Sequence, residues 1–176
     1  RVLAEMLALD QIPASYRPTP RQRQYRMYVR HRQYLQRKIT AVRNKMRRLL
    51  SNHNQDRPNL FTRDGMAYMT SLELPPADRF CLDQLRDQWT FYRKQLKQAN
   101  DRLKEFGIEG IEEEQKDREL LQTIPGIGVV TTDVVLSELA DWRRFPSLKK
   151  TTADAGIVLG QRESADKRKA LHIEKT

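Results

Sequence analysis

Seven consecutive steps of alternating three and four residues join the apolar positions Leu82, Leu85, Trp89, Tyr92, Leu96, Ala99, Leu103 and Phe106. A heptad repeat held that long puts one apolar stripe on a helix, and the stripe must be covered by another. The chain offers a partner. Tyr25 and Tyr28 lead into Leu35, Ile39, Val42, Met46 and Leu49, spaced 4, 3, 4 and 3 from Leu35 onward, and Arg32 holds the one seam position that is not apolar. Thr19-Pro20 reads as an N-cap followed by proline at the first helical position, opening a helix that runs to about Ser51. Asn52 to Pro58 is a polar break. Phe61 to Leu72, with Met66 and Met69, can form a short helix that Leu74-Pro75-Pro76 ends. The second long helix runs from about Ala77 to Phe106, and Gly107 and Gly110 close it. The expected fold is mainly α, with a long antiparallel coiled-coil hairpin over residues 19–108. Pairing of each helix with another chain is the alternative that the periodicity leaves open. In both cases the seam is core, and Cys81 at its head is expected to be a small buried hydrophobe.

Charge is concentrated on the first of these helices. The net charge is +10, but residues 11–55 alone hold twelve Lys or Arg and no Asp or Glu. The segments on either side are each close to neutral. Solvated helix faces usually mix signs, so an unmixed run points to a polyanionic partner. The candidate nucleic-acid contacts are Arg21, Arg23, Arg26, Arg30, Arg32, Arg37, Lys38, Arg43, Lys45, Arg47 and Arg48. Contacts of this kind hold phosphates and do not read bases. Whether the helix holds RNA or DNA stays open. One cysteine allows no intrachain disulfide and fits a cytoplasmic setting. No apolar run approaches the roughly 18 residues of a membrane span, and no signal peptide is visible.

Residues 109–176 read as a smaller helical module of helix-hairpin-helix type, with short strands at its C-terminal end. Glu112 to Thr123 is rich in helix formers, and Val129 to Ala140 carries apolar residues at helical spacing. Between them, Ile124-Pro125-Gly126-Ile127-Gly128 breaks the pattern. Proline restricts Ile124 to extended backbone, and the glycines permit positive φ and close approach. Gly126 and Gly128 are therefore expected at a tight turn whose following helix offers free N–H groups to a phosphate. A plain turn between packed helices is the other reading. A further helix is expected from about Ser147 to Ala155. Gly156 to Gly160 reads as a buried strand or a turn into one, Gln161 to Lys169 as polar and basic, and Ala170 to Ile173 as a short strand.

Metal ligation has little support. His31, His53 and His172 are far apart, and no Cys/His cluster has zinc spacing. Glu112-Glu113-Glu114 complements a helix dipole. One cluster could carry chemistry. Ser164 lies close to Lys167, Arg168 and Lys169, and a serine attacking a phosphodiester needs cations to hold the phosphate and stabilise the transition state. On spacing alone, a solvated polar loop is the simpler reading.

The second half, taken whole, shows an ordered set of residues. Leu120-Leu121-x-Thr123 runs into Ile124-Pro125-Gly126-Ile127-Gly128. Thr132, Glu138-Leu139-Ala140-Asp141 and Arg144-Phe145-x-Ser147 follow. Ala155-Gly156-Ile157, Ser164 and Ile173-Glu174-Lys175 close the series. This order resembles the C-terminal domain of the DEDD insertion-sequence transposases, the bridge-RNA-guided serine recombinases. Leu3-Ala4-x-Met6-Leu7, Tyr16-x-Pro18 and the basic helix through Arg26, Arg30, Arg32 and Leu35 are similar to the segment that follows the family's RuvC-like domain.

The resemblance implies a DNA transposase in a prokaryotic cytoplasm, with DNA and a guide (bridge) RNA as partners and protomers assembled through the coiled coil. It implies that Ser164 is the nucleophile, with Ala165 standing where the family has glycine, and that Lys167 to Lys169 match the basic residues after it. It implies Mg2+ held by an acidic tetrad outside this chain and none held within it. On this view residues 1–18 are the tail of a RuvC-like domain and a linker, 109–176 is most of the transposase domain, and the piece alone is inactive. A non-catalytic nucleic-acid-binding module and a structural coiled-coil adaptor are the competing readings.

Overall fold

The computed structural model describes residues 2–9, 11, 16–155, 159–164 and 167–173, with Leu3 and the last two stretches described by backbone alone. Pro13 of the expected linker, residues 156–158 of the expected buried strand, and Ala165 lie outside the described residues. The elements are α1 (Val2–Ala8), α2 (Pro20–Asn52), α3 (Arg63–Ser71), α4 (Pro76–Ile108), α5 (Glu112–Gln122), α6 (Val129–Leu139), a 3-10 turn (Trp142–Arg144), α7 (Leu148–Asp154), β1 (Leu159–Ser164) and β2 (Lys167–Ile173). The fold is mainly α, as expected. The chain forms two compact units, residues 27–119 and residues 1–26 with 120–176.

In the first unit, α2 and α4 pack antiparallel. Tyr28 near the start of α2 meets Phe106 near the end of α4 at 5.3 Å between ring centres, whereas Met46 and Leu50 share a buried cluster with Leu82. Each seam position of α4 from Leu82 to Phe106 is buried or half-buried. Arg32, the polar seam residue, is satisfied by donating from Nε to Asn100 Oδ1 at 2.9 Å. The α3 segment closes the hairpin, adding Leu60 and Met69 to the cluster of Ile39, Val42, Met46, Leu50, Leu82 and Trp89. Gly65 in α3 allows this closure, because a Cβ there would lie 2.2 Å from the carbonyl oxygen of Asn59.

Three expectations need correction here. Cys81 is exposed. The seam starts at Leu82, and one residue back along a helix is a rotation of about 100°. On α2 the buried residues at the seam's ends are Val29 and Leu50, while Tyr28 and Leu49 are only half-buried. Toward the C-terminal end the inward stripe passes from Leu49 to Leu50, because an α-helix drifts by roughly 20° per heptad against a strict seven-residue repeat. Gly107 does not end α4. It is buried inside the helix, and its missing side chain leaves room for the Arg118 guanidinium, which would stand 3.0 Å from a Cβ. The helix ends one residue later, at Ile108, and the Gln115 side-chain amide donates to the Gly107 carbonyl.

In the second unit, Thr19 caps α2 as expected. Its Oγ1 accepts from Gln22 N at 3.2 Å and Gln22 Oε1 accepts from Thr19 N at 2.9 Å, a reciprocal capping box. Tyr25 is buried and donates to buried Asp133 of α6 at 2.7 Å. β1 and β2 pair antiparallel with Ser164 opposite Lys167, Glu163 opposite Arg168 and Arg162 opposite Lys169. The polar stretch from Gln161 to Lys169 therefore contributes strand on both sides of residues 165–166, where strand was expected only before it, at Gly156 to Gly160, and after it, at Ala170 to Ile173.

Candidate nucleic-acid interface

The cations of α2 do not act alike. Arg26 serves the fold. Its Nε donates to Ser137 O at 2.7 Å and its Nη2 to Glu138 O at 2.8 Å, which caps the carbonyl end of α6. Arg47 reaches Asp56 at 3.4 Å and the carbonyls of Arg57 and Pro58. Arg32 is held by Asn100 as described, and Arg21 is half-buried.

A second group faces water. Arg30, Arg37, Lys38, Lys45 and Arg48 are all exposed, on the side of α2 away from Leu35, Ile39, Val42 and Met46. Spacings of seven (30 to 37, 38 to 45) and eleven (37 to 48) bring side chains back to one face after two and three turns. From Arg30 to Arg48 the row spans about 27 Å at 1.5 Å per residue. Tyr34 stands among them, with Lys38 Nζ 5.2 Å from its ring centre. No acid interrupts the row, because residues 11–55 contain none. Arg23 is exposed as well, in the other unit. Arg43 lies off this row, with its guanidinium 4.4 Å from the centre of the Phe61 ring.

The turn at 123–128 is built largely as its sequence suggests. Ile127 N donates to Ile124 O at 3.0 Å, and Gly126 takes φ +89°. Gly128 differs from expectation. Its φ of −92° and ψ of 175° are ordinary extended backbone at the N-cap of α6. A Cβ at either glycine would meet nothing within 4 Å, so only the conformation of Gly126 requires glycine. Gly128 O accepts from Thr132 N at 3.0 Å and from Thr132 Oγ1 at 3.1 Å, fixing the first turn of α6.

Ser164 ends β1 and Lys167 begins β2 as its register partner. The backbone thus brings Ser164 beside Lys167, with Arg168 and Lys169 at the next two positions of the same strand. Among the described residues, no three His, Cys, Asp or Glu side chains converge to hold a metal ion. No helix among them is long and apolar enough to cross a membrane.

Residues 118–176 match the Transposase IS116/IS110/IS902 family. The match spans a third of the chain. The match covers α6, α7, the 3-10 turn and both strands, and it includes the Gly126 turn and Ser164. No curated protein and no solved structure matches the chain.

One basic residue that the sequence reading passed over is Arg93 on α4. It is exposed, with its guanidinium 4.7 Å from the centre of the Trp89 ring. The α4 segment mixes acids with its cations, so a charge count along the chain averages Arg93 away. A helical projection that set it across from Arg43 could have found it.

Proposed function

We propose that the transposase cuts and rejoins DNA through Ser164, guided by a bridge RNA, and that the exposed row on α2 grips the phosphates of one of these nucleic acids. The transposase match over residues 118–176 carries this reading. The acid-free cationic row supports it independently, because backbone contacts supply most non-specific affinity for nucleic acid. In the proposed step, Ser164 Oγ gives up its proton and forms a bond to phosphorus. The bond from phosphorus to one sugar oxygen breaks, and that oxygen leaves as a hydroxyl after taking up a proton. The product is a phosphoserine link, which the hydroxyl of a second strand can then attack to rejoin DNA. Lys167, Arg168 and Lys169 hold the phosphate and offset its growing charge. The turn at Gly126 and Gly128 braces the domain and adds a phosphate contact at the start of α6. The paired helices assemble protomers.

The test is Ser164→Ala in the complete transposase, with strand exchange and DNA binding measured on the same preparation. Exchange is expected to vanish and the covalent protein–DNA species with it, while binding persists. Strand exchange by the alanine variant would show that the nucleophile lies elsewhere.

A further inference from the structure

Two arginines from different helices frame one cavity of the 27–119 unit. The cavity has a volume of ≈ 470 Å³, within the roughly 300–1,000 Å³ of small-ligand sites. Arg43 of α2 and Arg93 of α4 both line it, together with Phe61, Trp89, Gln36 and Asn59, and no Asp or Glu stands in its wall. A neighbouring cavity of ≈ 430 Å³ has Asp64 in its lining and lacks this uniform sign.

The four central side chains form a layered series. The Arg43 guanidinium lies 4.4 Å from the Phe61 ring centre. Phe61 and Trp89 meet at 5.8 Å and 42°. The Arg93 guanidinium lies 4.7 Å from the Trp89 ring centre. Two cations held against π faces are poor candidates for a simple lid, because among the described residues neither is paired with a carboxylate. Trp89 is only 7% exposed, and its Nε1–H is buried without a hydrogen-bond partner. The lining therefore combines flat cationic surfaces, aromatic rings and two side-chain amides. That is the chemistry that recognises an unpaired base with its phosphate, stacked on aromatic or guanidinium planes.

We propose that this cavity receives one unpaired nucleotide of a single-stranded or looped nucleic acid. Its base stacks on a guanidinium or ring face, and its phosphate meets the second arginine. The proposal rests on the nucleic-acid reading above and adds a site that prefers splayed bases to a closed duplex.

The test uses the 176-residue chain with Trp142→Phe, which leaves Trp89 as its sole tryptophan. The probes are a single-stranded oligonucleotide of about twelve nucleotides and an abasic strand of equal length and charge. Trp89 fluorescence is expected to be quenched by the first and unchanged by the second. Arg93→Gln and Arg43→Gln are each expected to lower affinity for the normal strand about tenfold and to move the abasic strand far less. Equal quenching, or equal losses for both strands, would overturn the pocket while leaving the basic row in place. Absence of binding by either strand at low salt would remove the pocket and the nucleic-acid reading together.

Discussion

Neutralising part of the α2 row should change how binding depends on salt, by an amount the geometry sets. Arg30, Arg37, Lys38, Lys45 and Arg48 give at most five phosphate contacts. Each contact on B-DNA contributes about −0.9 to the slope of log K against log salt, so the full row predicts a slope of about −4.5. Affinity should then fall roughly 500-fold between 50 and 200 mM salt. Lys45→Gln with Arg48→Gln leaves three contacts, a slope of about −2.7 and a loss of only ~40-fold over the same range. Gln has nearly the helix propensity of Lys and Arg, so α2 should keep its helicity by circular dichroism. The control is Lys104→Gln with Lys116→Gln, which removes the same charge from exposed sites. Lys116 is already paired with Glu112 at 2.7 Å. Fluorescence anisotropy of a labelled duplex gives K at each salt concentration. A control slope reduced as far as the α2 variant's would show that net charge, and not this row, governs binding. An unchanged slope in the α2 variant would place the contacts elsewhere.

Four further substitutions test the fold. Gly65→Ala forces a Cβ against the backbone of Asn59 and Leu60, which should cost about 3 kcal/mol and lower the urea midpoint while leaving the slope of the transition unchanged. Gly126→Ala should cost roughly 1–2 kcal/mol because φ there is +89°. Gly128→Ser, at an N-cap with extended backbone, should gain a few tenths of a kcal/mol; thermal melts that rank the two alike would disprove the difference in backbone assignment. The Arg79 hydrogen bond holds the Asp83 carboxyl below its usual range. A depressed folded pKa stabilises above the unfolded value of about 3.9, and this is lost as pH falls through the folded value. Asp83→Asn should therefore flatten the acid limb of stability below about pH 4, by no more than about 1 kcal/mol because the side chain is 47% exposed.

Long periodic features were legible in the sequence because many residues vote for them. All eight seam positions of α4 lie inward, and the Thr19 cap formed where a single dipeptide suggested it. The failures came at ends and at residues whose partner is remote in sequence. Cys81 misled because it directly precedes Leu82, although a start at 81 would set two steps of four in a row and break the alternation. Gly107 misled because a glycine at a helix end is usually a stop, whereas here it makes room for Arg118. The charge run was visible, but not its division of labour. Nothing near Arg26 announces that it will cap carbonyls 111 and 112 residues away, and a window that counts charge treats it like Arg37. Ser164 came from the family resemblance, since a serine beside three cations has no periodicity to give it weight. The Arg43–Arg93 pair shows the same limit from the other side. Arg43 sits in an acid-free helix and Arg93 in a mixed one, fifty residues later. Only antiparallel pairing of α2 with α4 brings them to one cavity, around a tryptophan that heptad logic had already assigned to the core. A residue can satisfy the seam with one edge of its ring and line a site with the other. Periodicity reports the first role and is blind to the second.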